Sequence, residues 1–513
     1  MPDFCEDAKH LNAFRKSAHD VVLASMNCRG RNFVVPWADK MSAPTPHIQY
    51  HRGECFQSPL CRGGYHPPER TSMINDQNIS EKKPKILRIL RENMYVATGC
   101  TEPAAVSYCA SVAATEIKKL GDEVVSVDVE ASKNVLKNAM SAGLPNTKKV
   151  GVNYAAGIGA THGDPKNVLN VNNDVKENDY DAVDKMIKEG KIRVAIAKEP
   201  NLLLIKVNVK GTKHEASCTI ADSHTNIVKI TVDGKVTFEN NNSKSNDEHI
   251  SPKEIADLLS IEDIVVFCDK YLDVENDDID ILKKAEELNM AISEEGLKGK
   301  YGLNVGKSMS SLLESGSMHN ANRTRAIMRT TAAADARMAG APFPVVANSG
   351  SGNQGITLSV PIISYAKDMK VSDEKKYKAL AVSNLVSIYI KSKFGTLSAF
   401  CGAMVASIGA GCGIAYLYGG NYNDIAAVIH NMVGSLTGMI CDGAKPDCAL
   451  KIYSGLETAI FSSRLALKGE RVSKDDGIVC EDVEKTIDNI AEVSVECSSK
   501  VDDIVLGMMI NKK

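Results

Sequence analysis

From Ser80 onward the apolar positions set a helical rhythm. Ile86, Leu87, Ile89, Leu90 and Met94 recur on one face, and a second helix is predicted from about Glu102 to Leu120. The period then changes. β-Branched residues at 124–129, 194–198, 202–209, 215–220, 227–232 and 236–238 predict strands joined by turn residues, including Asp233-Gly234. After a polar, linker-like run at 240–248, helical patterns dominate from Pro252 to the end. The expected fold class is α+β: a mixed α/β region at 80–245, then a mostly helical, Gly/Ala-rich domain at 246–513.

Two stretches without a charged residue lie inside the helical part, one between Arg337 and Lys367 and one between Lys393 and Asp424. Both are rich in Gly, Ala and Ser, and the first carries Pro342, Pro344 and Pro361. A membrane span needs about 20 mainly apolar residues. Closely packed core helices, with glycine loops that bring backbone near a ligand, are therefore expected in place of spans.

The first 80 residues have a different texture. They hold 7 of the 17 prolines and 5 of the 11 histidines but no sustained period, so residues 1–79 read as a poorly ordered extension. Cys55 and Cys61 stand near His47, His51 and His66, but C-x5-C is not zinc-finger spacing. Asp3, Glu6, Asp7 and Asp20 argue against a mitochondrial presequence, and no secretory signal is expected.

Composition narrows the function classes. Lys+Arg 61 against Asp+Glu 64 gives a formal charge of -3, so no field of one sign exists for nucleic acid or an anionic membrane. Aromatics at 5% give no stacking platform for bases. A chain of 513 residues exceeds one ordinary core, so two or three domains are expected. Its 14 cysteines do not make a secreted disulfide scaffold and read as reduced thiols in the cytoplasm.

Some of those thiols stand in settings suited to chemistry. Cys401 opens a small-residue run, and Cys441 and Cys448 bracket the Gly/Pro loop Asp442-Gly443-Ala444-Lys445-Pro446-Asp447. Such a loop can wrap an iron–sulfur cluster, whose sulfides accept backbone N–H bonds; a buried free cysteine is the plainer alternative. Cys100, in Thr98-Gly99-Cys100-Thr101-Glu102-Pro103, precedes a predicted helix that Thr101 would cap. The helix dipole there would favour thiolate; a capped helix start beside a buried, inert cysteine is the plainer alternative.

Two polar loops add candidates. Asn348-Ser349-Gly350-Ser351-Gly352-Asn353-Gln354-Gly355 follows a strand-like segment and offers clustered N–H groups and amides for a carboxylate or phosphate, or is an ordinary turn. His224, in Asp222-Ser223-His224-Thr225, is either a catalytic base or a surface turn residue. Asp335-Ala336-Arg337 either orients a substrate carboxylate or is solvated.

Together the segments Thr98–Pro103, Asn348–Gly355, Cys401-Gly402 and Cys441–Lys445 resemble the L-cysteine desulfidase family, itself related to the iron–sulfur L-serine dehydratases. The resemblance covers roughly Ser80 to the C-terminus. It implies an oxygen-sensitive [4Fe-4S] cluster without pyridoxal phosphate, with Cys401, Cys441 and Cys448 as ligands. The C-x6-C pairing is shorter than the dehydratase loop, and Cys412 competes as third ligand. Cys100 matches a cysteine that the desulfidases share near their start, as a fourth ligand displaced by substrate or as an acid/base group. The implied reaction is β-elimination of L-cysteine, with Cys100 or His224 as base. Ser349, Ser351, Asn353 and Gln354 would bind the substrate, assisted by Thr101 or Thr225. A homo-oligomer is compatible with this reading. The rivals are an L-serine dehydratase and a non-catalytic iron–sulfur or thiol sensor.

Overall fold

In the computed structural model of the protein, the described residues are 76–145, 147, 149–240, 250–394 and 398–512. The expectations of an N-terminal extension and of a linker at 240–248 lie outside them almost entirely.

The α+β architecture is present. The first helix, Asp76–Asn93, leads into strand β1 (Met94–Thr98) and the helix Thr101–Lys119. A sheet of six strands follows: β2 (Ser126–Ala131), β3 (Ile192–Ile196), β4 (Leu204–Lys210), β5 (Glu215–Ala221), β6 (Ile227–Val232) and β7 (Lys235–Glu239). Their spatial order is β3-β2-β4-β5-β6-β7, antiparallel except for the β2–β3 pair. A parallel pair needs a long crossover, and residues between β2 and β3 supply it as helices that include Lys133–Ala139 and Val152–His162. Burial alternates along β4 and β5 because the Thr101–Lys119 helix covers one face: Val207, Val209, Cys218 and Ile220 are buried there. Asp233 and Gly234 both have positive φ, the geometry of the tight hairpin turn that joins β6 to β7.

The rest is helical. The charge-free stretches become the buried helices Gly352–Met369 and Gly402–Leu417, whose glycines admit neighbours at backbone distance. A Cβ on Gly409 would stand 2.4 Å from the carbonyl oxygen of Ser383. Among the described residues, no helix is long and apolar enough to cross a membrane.

Chain order and packing do not coincide. Ile79, Ile86 and Leu90 of the first helix join the apolar cluster of the C-terminal helices. β1 pairs antiparallel with β8 (Pro344–Asn348). At the other end, Leu506 of the last helix, Val483–Ile510, packs in the core under the six-stranded sheet. The helical body is therefore assembled from both sides of the sheet-bearing segment.

One buried base away from these junctions sets a pH dependence. His430 is 1% exposed and hydrogen-bonded to Thr486 at 3.1 Å, and burial, reinforced by Arg471, pushes its pKa down to about 4. The unfolded chain takes up this proton near pH 6.5, so the contribution is complete above 6.5 and is lost as pH falls toward 4. Between pH 7.5 and 5 the wild type is expected to lose roughly 2 kcal/mol more stability than His430→Gln, measurable by chemical denaturation.

Candidate functional site

Four helix N-termini meet at one cavity of about 350 Å³. Cys100 stands at the N-cap position of the Thr101–Lys119 helix and Cys401 at that of the Gly402–Leu417 helix, Ser351 caps the Gly352–Met369 helix with its side chain, and Cys448 is the first residue of Cys448–Ala466. All four residues line the cavity. Their helices bring unpaired backbone N–H groups and the positive ends of four dipoles to one place, an environment that favours anions and thiolates.

Local pairing explains how distant segments arrive there. Cys401 N–H donates to Met439 O and Cys441 N–H donates to Ala399 O, each at 2.7 Å, so a short antiparallel bridge draws Cys401 and Cys441 together. The loop after Cys441 is pressed by the helix Lys133–Ala139. Gly443 has φ +97°, and a Cβ there would stand 2.2 Å from Lys137 O. Lys137 is itself buried and pairs with Asp502 of the last helix at 2.5 Å, anchoring this buttress.

The three C-terminal thiols differ in protonation. Cys401 donates a hydrogen bond to Cys441, which with burial raises the Cys401 pKa. The same bond lowers that of Cys441 to about 6, helped by Lys137 and the Gly443 N–H. Burial pushes the Cys448 thiol up to about 11. Lys391 lines the cavity beside them with no acidic partner among the described residues, and burial brings its pKa down to about 8.

The expectation of a Cys100 thiolate needs correction. Burial, and then the Glu102 carboxylate, raise its pKa well above the usual thiol range, outweighing the helix dipole. Cys100 keeps its proton and donates it to Glu102 Oε2 at 3.1 Å. Nor does Thr101 cap the helix: it is the first helical residue, and its hydroxyl also donates to Glu102 at 3.1 Å. Glu102 accepts from Asn138 Nδ2 at 3.0 Å as well. Burial works to raise the Glu102 pKa, but the nearby His224 and these hydrogen bonds lower it on balance.

His224, from the β5–β6 turn, lines the same cavity with Nε2 buried and without a partner. Ser349, Ser351, Asn353 and Gln354 line it too, as do Thr101 and Arg337. Two of the hydroxyls are engaged locally: Ser349 donates to Asn348 at 2.8 Å, and Ser351 accepts from the Gln354 N–H at 3.4 Å. The Gln354 side chain lies over Gly402, where a Cβ would come within 2.8 Å of it. Asn138 Oδ1, Arg337 Nε and Gln354 Oε1 share the buried, unpartnered state of His224 Nε2. Unsatisfied polar atoms around one cavity mark it as a ligand site.

Two named candidates fall outside it. Thr225 is exposed and does not line the cavity. Cys412 is fully buried within its helix, with Sγ 3.9 Å from Ile425 O, and does not line the cavity either. Residues not singled out as site candidates from the sequence include Glu102, Asn138 and Lys391. Glu102 reads as an acid complementing a helix N-terminus, and Lys391 as a cation near a helix C-terminus; both patterns are commonplace on helices.

Residues 168–507 match the family described as serine dehydratase alpha chain. The chain belongs to that family. It is also 36% identical over 431 residues to a UPF0597 protein of Porphyromonas gingivalis, covering 84% of this chain and 98% of the relative. UPF0597 proteins of Shewanella halifaxensis, 38% identical, and Clostridium perfringens, 37% identical, match over 84% and 83% of this chain and 99% and 98% of their own. Serine dehydratase alpha chain-like proteins are lyases that generally depend on an iron–sulfur group.

The residues present fit such a group. Cys401, Cys441 and Cys448 face one cavity, with the Gly443 N–H on Cys441 and the Lys445 N–H on Cys448. Among the described residues, no three His, Cys, Asp or Glu side chains close to the spacing that one metal ion requires. A cluster is less demanding, because each of its thiolates binds a different iron.

Proposed function

We propose that the protein is an L-cysteine desulfidase, which eliminates hydrogen sulfide from L-cysteine and yields pyruvate and ammonia with a [4Fe-4S] cluster. The observation that carries this reading is the meeting of Cys401, Cys441 and Cys448 with Cys100 and His224 around one cavity at four helix N-termini. When bound by the three thiolates, the cluster supplies an open iron that acts as a Lewis acid toward the departing sulfur.

The chain's own groups do the rest. His224 Nε2, buried and unpartnered, takes the proton from the substrate Cα. The Glu102 carboxylate stabilises the imidazolium that forms, and Asn138 and Thr101 hold that carboxylate in place. Cys100 retains its proton at Sγ and donates a hydrogen bond to Glu102, helping to hold that carboxylate in place. The loop from Ser349 to Gln354 and the helix N-terminus behind Ser351 bind the polar end of the substrate. Lys391 and Lys137 offset the charge of the thiolates. Aminoacrylate leaves, tautomerises and hydrolyses in water. Reduced thiols and such a cluster fit a cytoplasmic setting.

The family's name favours L-serine as the second reading, with hydroxide in place of sulfide as leaving group. Parallel assays of the anaerobically reconstituted enzyme separate the two. L-cysteine is expected to be turned over with kcat/KM at least about tenfold above L-serine, a difference of about 1.4 kcal/mol. Pyruvate from serine without sulfide from cysteine would reverse the assignment. A cluster that turns over neither would leave a sensor.

A further inference from the structure

Arg337 is 4% exposed and lines the cavity, yet no carboxylate among the described residues pairs with it. A guanidinium carries five N–H groups. NH2 donates to Gly99 O at 2.7 Å and NH1 donates to Asn353 Oδ1 at 3.1 Å, both neutral acceptors. Nε is buried with no acceptor. A buried cation without a counterion is costly, and proteins keep one where a ligand supplies the missing charge.

Its placement is built, not incidental. The two bonds tie the Cys100 loop to the Ser349–Gln354 loop through one planar group. The fit also depends on a missing side chain: a Cβ on Gly352 would lie 2.3 Å from Arg337 Nε. Asn353 is held in turn by its amide, which donates to Met338 Sδ at 3.4 Å. The fork is thus fixed at the rim of the Gly352–Met369 helix N-terminus, where a planar anion would be met by backbone N–H groups as well.

We propose that Arg337 anchors the α-carboxylate of the substrate and thereby selects thiol acids over thiol amines. This rests on the desulfidase reading for the identity of the substrate, but not for the presence of the anchor. Lysine would not replace it, because a point charge lacks the fork.

The test is equilibrium binding to the full-length, anaerobically reconstituted protein, using 3-mercaptopropionate (thiol and carboxylate) and cysteamine (thiol and amine). The wild type is expected to bind 3-mercaptopropionate about 100-fold more tightly than cysteamine. Arg337→Met should abolish that preference while leaving cysteamine affinity and iron content unchanged. Gly352→Ala keeps every charge but crowds Nε, and should lower the preference at least tenfold, which covers a failure of Arg337→Met to fold. A preference retained in both variants, or absent from the wild type, would overturn the anchor. Absence of sulfide from L-cysteine with the preference intact would overturn the desulfidase reading and keep the anchor.

Discussion

His224→Asn is expected to lower kcat for sulfide release by about 10²–10⁴-fold, the range typical of a lost general base. The argument is geometric first. His224 Nε2 is buried without a partner, and its ring faces the cavity that holds Cys100, Glu102 and the three C-terminal thiols. The rival base, Cys100, is held as a thiol by burial and by Glu102. KM should move little, because the groups proposed to bind the carboxylate, Arg337 and the loop from Ser349 to Gln354, lie on other elements than the turn that carries His224. Iron content should not change, since the β5–β6 turn carries none of the proposed ligands. A variant that retains wild-type kcat would remove His224 from the chemistry and direct attention to Glu102, the other proton acceptor beside the site.

Cys441→Ala should abolish the cluster and with it all turnover. Cys441 is the thiol most readily deprotonated: the hydrogen bond from Cys401, Lys137 and the Gly443 N–H lower its pKa to about 6. It is therefore the thiolate already formed when iron arrives. Iron and acid-labile sulfide after reconstitution are expected to fall to background in this variant. Cys412→Ala is the matched control. Cys412 is fully buried inside its helix, away from the cavity, and its variant should retain a full complement of iron. Loss of the cluster in Cys412→Ala with retention in Cys441→Ala would invert the ligand assignment.

Much of the fold was legible because local periodicity and burial agree. The strands from β4 to β7 follow the β-branched runs closely, and the turn at Asp233-Gly234 announces itself by residue type. The charge-free stretches form buried helices because Gly and Ser permit close backbone approach, as at Gly409. What the chain order hid is long-range pairing. Nothing local indicates that β1 pairs with β8, or that Leu506 packs under the sheet. The site divides along the same line. Cys100, Cys401, Cys441, Cys448 and the Ser349–Gln354 loop were visible as motifs. Glu102 and Lys391 were not, since their roles arise only when Asn138, His224 and the thiols are folded around them. Thr225 shows the opposite error: adjacency to His224 in the chain does not bring it to the cavity, because the turn exposes it. Cys100 departs from the thiolate expectation for an energetic reason, since desolvation and a neighbouring carboxylate exceed the reach of a helix dipole.

The most direct measurement is sulfide release from L-cysteine by the full-length protein before and after anaerobic reconstitution with iron and sulfide, with bound reagent removed and Cys401→Ala treated in parallel. The account predicts sulfide and pyruvate in equal amounts from the reconstituted wild type alone, with none from the untreated apoprotein or from the variant. Equal sulfide release by Cys401→Ala, or by protein free of iron, would contradict it.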